Sequence, residues 1–313
     1  DQAEQNIFSI SQRRLRGGFQ HIDPILHEAF EKLDQIHSRS GDLTGIASGL
    51  MDLDELTSGF QPGELIIIAG RPAMGKTALA LTMARNAAVD HGNAVGVFSL
   101  EMANHQLALR LLCAEAKVDS HLVRTGKLPK KQWQNLSLAV GILAEAPIHL
   151  DDTPAISVLE LRAKARRLKA EHNIDLLFVD YLQLMQGPRG VENRQQEIST
   201  ISRSLKALAK ELDIPVIALS QLSRAVEQRT EHRPLLSDLR ESGAIEQDAD
   251  LVIFLYRKWL YTQEDEDRGK AQIIVAKHRN GPTGTLDAAF IDRFARFENY
   301  APVSDEIGAE VPF

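Results

Sequence analysis

The sequence predicts an α/β fold: a mostly parallel central sheet flanked by helices, with antiparallel strands added late and one helix set apart at the start. Three observations predict it. From Leu65 onward, apolar runs of strand length alternate with helical patterns, the signature of βαβ units. The last three apolar runs follow one another with little helix between them, which suits antiparallel additions. Ahead of them all, residues 1–44 hold a single amphipathic segment between flexible stretches.

The elements follow in order. Arg13, Arg14 and Arg16 lead into Gly17-Gly18, a flexible break. Asp23-Pro24 reads as a helix start, with Asp as the N-cap and Pro at the first helical position. Ile25, Leu26, Phe30, Leu33 and Ile36 then recur at helical spacing, and Ser38–Asp42 ends the helix. Its apolar stripe can be buried on its own domain or on a neighbouring subunit, and the residues favour neither. Strands are expected at Leu65–Ala69, Ala94–Ser99, Ile148–Leu150, Leu176–Asp180, Pro215–Ser220, Leu251–Tyr256, Ile273–Ala276 and Asp287–Ile291. Helical patterns separate the first five. The acidic run Glu264–Asp267 reads as a solvated loop, and the stretch after Asn299 as a mobile tail. The expected organisation is a linker segment over 1–44, one large domain over 45–300 and a tail over 301–313.

Composition narrows the function classes. The chain has 313 residues, 43% hydrophobic and 25% charged, which suits a globular protein with a sizeable core. Its net charge of -7 makes it no basic nucleic-acid binder as a whole, so a polyanion needs local positive groups and backbone N–H groups. The single cysteine, Cys113, excludes an intrachain disulfide and lies in an apolar helical run, where a buried thiol is expected. No apolar run approaches the roughly 18 residues of a membrane span, and Asp1–Ile10 is polar and acidic, unlike a signal peptide. The expected location is the cytoplasm, with no membrane partner.

Gly70-Arg71-Pro72-Ala73-Met74-Gly75-Lys76-Thr77 matches the phosphate-loop pattern G-x-x-x-x-G-K-[ST] in full. A strand precedes it and a helix follows it, from Ala78. Residues Gly70 to Ala78 are therefore expected to bind a nucleoside triphosphate. Glycines let main-chain N–H groups turn toward phosphate oxygens, at the positive end of the helix. Lys76 is expected at the β- and γ-phosphates, and the Thr77 hydroxyl on Mg²⁺. Asp180 ends the apolar strand Leu176–Asp180; ligands in parallel sheets sit beyond such carboxyl ends, so Asp180 is a candidate for Mg²⁺, against the plain reading of a helix cap. Glu101 lies just past the strand ending at Ser99. It is either a base for the attacking water or a helix-start carboxylate interacting with the helix near Asn104. Gln221 follows the strand Pro215–Ser220, where an amide can hydrogen-bond a γ-phosphate, or be an ordinary loop residue.

These elements, in this order, resemble the RecA-like ATPases. Five further blocks are more particular: Ser99-Leu100-Glu101-Met102, Asp180-Tyr181-Leu182-Gln183-Leu184-Met185, Ser220-Gln221-Leu222-Ser223-Arg224, the run Asp238–Asp250, and Lys277-His278-Arg279-Asn280-Gly281-Pro282-Thr283-Gly284. Together, from about Asp23 to about Glu298, they resemble the bacterial DnaB-type replicative helicases. The resemblance implies a RecA-like, ATP-dependent homohexameric ring that encircles single-stranded DNA and moves 5′ to 3′ at the replication fork, with Mg²⁺ as cofactor. It implies Glu101 as catalytic base, Asp180 at the Mg²⁺ and Gln221 as γ-phosphate sensor. Lys277 and Arg279 would enter the neighbouring subunit's site, where a guanidinium stabilises charge on the γ-phosphoryl oxygens. Read without the family, these two are alternate residues on one solvated face of a strand end.

For DNA, the resemblance places a channel loop at Arg240, Glu241 and Gly243, and the loop Gly187–Arg194 offers Arg189 and Arg194 beside it. Such contacts read phosphates, not bases. The helix from Asp23 corresponds to the family's linker helix, docking on the adjacent subunit. Against the family pattern the chain begins within the linker, so an N-terminal domain of roughly a hundred residues is expected to be missing. With it goes the collar that recruits primase; a helicase loader and primase are the further partners the family implies, with primase docking in doubt for this chain. Nucleoid association is implied likewise. Two other readings stay open: a different RecA-like machine such as a recombinase or RadA-like repair helicase, and a nucleotide-switched assembly protein without motor activity.

Overall fold

Leu65–Gly70 is an unbroken apolar run, and it becomes β1, buried along its whole length. Its side chains alternate between two cores, Ile66 and Ile68 into one and Leu65, Ile67 and Ala69 into the other. That two-residue period is what a strand covered on both faces requires. The computed structural model describes residues 21–38, 43–187 and 193–301. The chain falls into two compact units, residues 1–44 and 45–313.

In the larger unit the strands are β1, β2 (Val95–Ser99), β3 (Ile148–Asp151), β4 (Leu176–Asp180), β5 (Val216–Gln221), β6 (Leu251–Tyr256), β7 (Lys270–His278), β8 (Gly284–Ile291) and β9 (Arg296–Asn299). Among the described residues they form one sheet in the order β3-β2-β4-β5-β1-β6-β7-β8-β9. The first six are mutually parallel, and β7, β8 and β9 add on antiparallel. The α/β class is as the sequence predicts, with two differences. Leu251–Tyr256 is not one of the antiparallel additions: β6 pairs parallel with β1 and antiparallel with β7, because the helical turns 236–248 give it a crossover from β5. The strand Arg296–Asn299 has no apolar alternation of its own and exists because it pairs with β8.

One core face packs the helices Lys76–Arg85 and Asn104–Ala116 through Leu79, Met83 and Leu107; the other packs Val158–His172 and Arg194–Leu212 through Leu161, Ile198 and Leu205. Cys113 is buried in a third cluster with Leu128 and Leu136, and burial pushes its thiol pKa up.

In the smaller unit, Ile22–Ser38 is the predicted amphipathic helix, with Ile25, Leu26 and Phe30 exposed. Asp23 is not its N-cap. The helix starts one residue earlier, and the Asp23 N–H donates to Nδ1 of His21 at 3.3 Å, so the histidine ring meets one of the free donors of the first turn. The expected tail falls mostly outside the described residues.

Candidate active site

The strand order brings the carboxyl ends of β2, β4, β5 and β1 side by side, with Ser99 opposite Asp180 and Gly70 opposite Gln221. Residues far apart in sequence therefore face one cleft of about 700 Å³. Lys76, Thr77, Glu101, Asp180 and Gln221 all line it, together with Pro72, Ala73, Gly75 and Ala78.

The loop that forms the cleft floor has unusual backbone geometry. Gly75 sits at φ 98, the left-handed region, and a Cβ there would lie 3.3 Å from the Phe297 ring. Ala73 is left-handed as well, at φ 67. The helix Lys76–Arg85 begins directly after Gly75, so its unpaired N–H groups and positive end open onto the cleft.

Lys76 crosses the loop, and its Nζ donates to Gly70 O at 2.9 Å and Arg71 O at 3.4 Å. Burial lowers its pKa, while Asp180 and Glu101 push it back up. The Thr77 hydroxyl donates to Oδ2 of Asp180 at 2.7 Å. Asp180 is only 5% exposed, and burial holds its carboxyl above the ordinary range; the Thr77 bond opposes that shift, and the charge of Glu101 adds to it. Thr77 and Asp180 are thus the pair available to a hard cation. No group of three or more His, Cys, Asp or Glu able to hold a metal occurs among the described residues. One hydroxyl and one carboxylate suit Mg²⁺, which keeps waters and takes phosphate oxygens rather than a protein cage.

Glu101 is aimed by a local turn. Ser99 Oγ donates to Met102 O at 2.8 Å and accepts the Met102 N–H at 3.1 Å, so the chain between them bends and Glu101 stands exposed at the cleft. The helix start near Asn104 is served by others: Asp152 accepts the Asn104 N–H at 2.8 Å and Gln106 the Ala103 N–H at 3.2 Å.

Several expected site residues do not line the cleft. Arg71 does not present its side chain to the cleft. Its guanidinium is buried and donates to Glu227 at 2.9 and 2.7 Å and to Leu222 O at 2.7 Å, because a cation next to Lys76 is better placed against a carboxylate than beside another cation. Met74 is 3% exposed and packs in the core, as its apolar chain dictates. Gly70 ends β1 and does not line the cleft.

Lys277 and Arg279 are not in this chain's cleft. Lys277 Nζ donates to Glu246 O at 2.5 Å and Ala249 O at 2.7 Å; Arg279 donates to Gln247 O and lies 3.7 Å from Asp250. Both therefore cap the carbonyl end of the helix Gly243–Asp248. Arg240 and Glu241, expected in a loop, lie in the 3-10 turns Leu236–Ser242, which run straight into that helix at Gly243; the side chains of 240–243 lie outside the described set. Arg189 lies outside the described residues. Arg194 is no loop residue: it opens the helix Arg194–Leu212, capped by Asn193, and pairs with Glu197.

The cleft also has walls that the sequence reading missed. Gln106, Arg110, His121, Arg124, Tyr181 and Phe290 contribute to it. Gln106 and Arg110 are four residues apart on one helix and so share a face, a readable signal; only packing shows that this face meets the cleft.

Residues 45–299 match the family model described as the DnaB-like helicase C terminal domain. The chain is 51% identical over 313 residues to the Replicative DNA helicase DnaB of Geobacillus stearothermophilus, covering 100% of this chain and 68% of that protein. It is 49% identical over 308 residues to the Replicative DNA helicase DnaC of Bacillus subtilis, covering 98% and 68%. Among solved structures it is similar to one described as an ATPase domain, with a TM-score of 0.86 at 40% identity over 91% of this chain and 100% of that one. It is also similar to a DnaB-like replicative helicase described with its interactions with primase, with a TM-score of 0.83 at 38% identity over 95% and 72%.

Proposed function

The chain belongs to the DnaB-like helicase C-terminal domain family, and on that premise we propose that the cleft is the ATP-hydrolysing site of a ring motor on single-stranded DNA. Its relatives are replicative DNA helicases, and the chain is an enzyme of that kind, a helicase driven by nucleoside triphosphate hydrolysis. The observation that carries the reading is the Thr77–Asp180 hydrogen bond inside a cleft shared with Lys76, Glu101 and Gln221.

The chemistry follows from the residues. Lys76 exchanges two loop carbonyls for β- and γ-phosphate oxygens of ATP. Thr77 and Asp180 would hold Mg²⁺, which when bound neutralises charge on those oxygens. Glu101 accepts a proton from the attacking water as the new O–P bond forms and the bond to the β-phosphate oxygen breaks, releasing ADP and phosphate. Gln221 donates its amide to the γ-phosphate. Lys277 and Arg279 serve the neighbouring subunit's cleft in a homohexamer. In support, they lie outside their own cleft, and three of their contacts are neutral main-chain carbonyls that an anionic acceptor can replace.

Residues 1–44 act as the linker, 45–300 as the motor and 301–313 as the tail. The exposed Ile25, Leu26 and Phe30 of the helix Ile22–Ser38 need an apolar surface, and Leu138 and Ile142, one turn apart on the helix Trp133–Glu145, are exposed as well, so a neighbouring copy offers one. The segments at Arg240, Glu241 and Gly243 and at Arg189 and Arg194 take DNA phosphates, making binding sequence-tolerant and salt-sensitive. A helicase loader and primase are the implied protein partners. No helix among the described residues is long and apolar enough to cross a membrane.

Three measurements on one preparation test this: ATP turnover with and without single-stranded DNA, strand displacement on a forked duplex, and the assembly's mass with an ATP analogue and DNA. DNA-stimulated turnover, displacement and six copies per strand are expected. Strand pairing without displacement would point to a recombinase, and turnover indifferent to DNA would point to a nucleotide switch.

A further inference from the structure

The last register pair between β4 and β5 is Val179 with Ala218, yet β5 runs on to Gln221. In a parallel ladder, successive residues turn their main-chain groups to opposite neighbours. The N–H of Leu222 donates to Gly70 O at 3.4 Å, on the β1 side. The N–H and C=O of Gln221 therefore face the side that β4 has left.

A side chain takes both groups. The Gln221 N–H donates to Oε1 of Gln183 at 3.2 Å, and Nε2 of Gln183 donates to Gln221 O at 3.2 Å and to Ser220 Oγ at 3.0 Å. The amide stands in for one peptide unit of the missing strand. Its orientation is set by the main chain, since only an acceptor can face the N–H and only a donor the C=O. Carboxylates lack the donor, and lysine and arginine lack the acceptor. Gln183 is itself held in place: its neighbour Leu182 is fully buried, and Nη2 of Arg194 donates to the Gln183 carbonyl at 2.5 Å.

We propose that Gln183 is a positioning residue for hydrolysis, completing the β4 side of the β5 end and so setting Gln221 at the mouth of the phosphate-loop cleft. The inference rests on the proposed role of Gln221 at the γ-phosphate. Gln183 does not line the cleft, and it acts through the backbone it clamps.

The test is a double-mutant cycle on the full chain, reading kcat and KM for ATP in the presence of single-stranded DNA. Gln221→Ala should slow kcat. Gln183→Leu should lower kcat about tenfold, with KM within about twofold, since it loosens a group that acts on the transferring phosphate. The double variant should be no slower than Gln221→Ala alone. A slow Gln221→Ala with a wild-type Gln183→Leu, or losses that multiply in the double variant, would overturn the positioning role and leave the ATPase reading standing. An unimpaired Gln221→Ala would remove the sensor role itself, and the inference with it. Should Gln183→Leu fail to fold, Gln183→Glu replaces it: the acceptor remains and the donor is lost. Its turnover relative to wild type should rise as pH falls through the carboxyl range, where the protonated acid can donate to Gln221 O; a ratio flat with pH would overturn the inference.

Discussion

Replacing Lys76 with methionine separates a binding role from a structural one, because the two differ in size and can differ in sign. Lys76 Nζ donates to Gly70 O at 2.9 Å and Arg71 O at 3.4 Å. Both carbonyls keep another donor when it is gone: Leu222 N–H at 3.4 Å for Gly70, and Met74 N–H at 3.3 Å for Arg71. Asp180 loses a favourable neighbouring charge but keeps its 2.7 Å bond from Thr77. Against these small losses stands a gain, since an ammonium whose pKa burial already lowers gives way to an apolar chain of similar length. The net change in stability is expected to stay within about 1 kcal/mol, or about 3 °C in Tm. For the nucleotide, a unit charge about 4 Å from a phosphate oxygen at an effective dielectric of about 20 contributes about 4 kcal/mol, roughly a thousandfold in Kd. Thermal unfolding without nucleotide and calorimetric titration with a non-hydrolysable ATP analogue at fixed Mg²⁺ measure the two sides. A Tm lowered by about 8 °C or more, or an affinity within about tenfold of wild type, would refute the reasoning.

Glu101→Gln should bind the ATP analogue almost as wild type and fail to hydrolyse ATP, because the amide cannot take the water's proton; unchanged turnover in a steady-state assay would exclude it as the base. Asp180→Asn should abolish turnover yet stabilise the nucleotide-free protein at neutral pH. Burial raises the Asp180 pKa above its unfolded value, so the native state binds the extra proton between the two values and wild-type stability falls as pH rises through them. The Tm gap between variant and wild type should be near zero at more acidic pH, open through that window and then level off; a gap that does not change with pH would count against the buried carboxylate. Arg279→Ala mixed with Lys76→Ala should form rings in which some interfaces carry neither lesion, so mixtures turn over more than the sum of the separate proteins, and strict additivity would rule out action on a neighbour.

Much of the fold was legible because its signals are contiguous. Leu65–Gly70 and Leu176–Asp180 are runs of apolar residues bounded by polar ones, and each is a buried strand as expected. The strand, loop and helix around Gly70–Thr77 were legible for the same reason: the pattern and both flanks fall within a short stretch of chain. Glu101 and Asp180 could be singled out because strand ends are visible in sequence, and parallel strands share an end. Elements whose identity depends on a partner were not legible. Arg296–Asn299 is a strand through its pairing with β8, and Leu251–Tyr256 joins the parallel ladder through β1.

The residues alone determined the α/β class, the strand–loop–helix at Gly70–Thr77 and the carboxylates that could face it, since each of these is encoded in local order and periodicity. Tertiary structure alone decided where the polar side chains around that loop go. Arg71 lies inside the motif yet turns its guanidinium to Glu227 and Leu222; Gln183 lies in the short 3-10 turn Leu182–Leu184 yet completes a ladder for Gln221; Lys277 and Arg279 cap a helix. The physical reason is common to all three. A buried or half-buried donor takes whichever acceptor the packed chain leaves unpaired, and here those acceptors belong to segments distant in sequence.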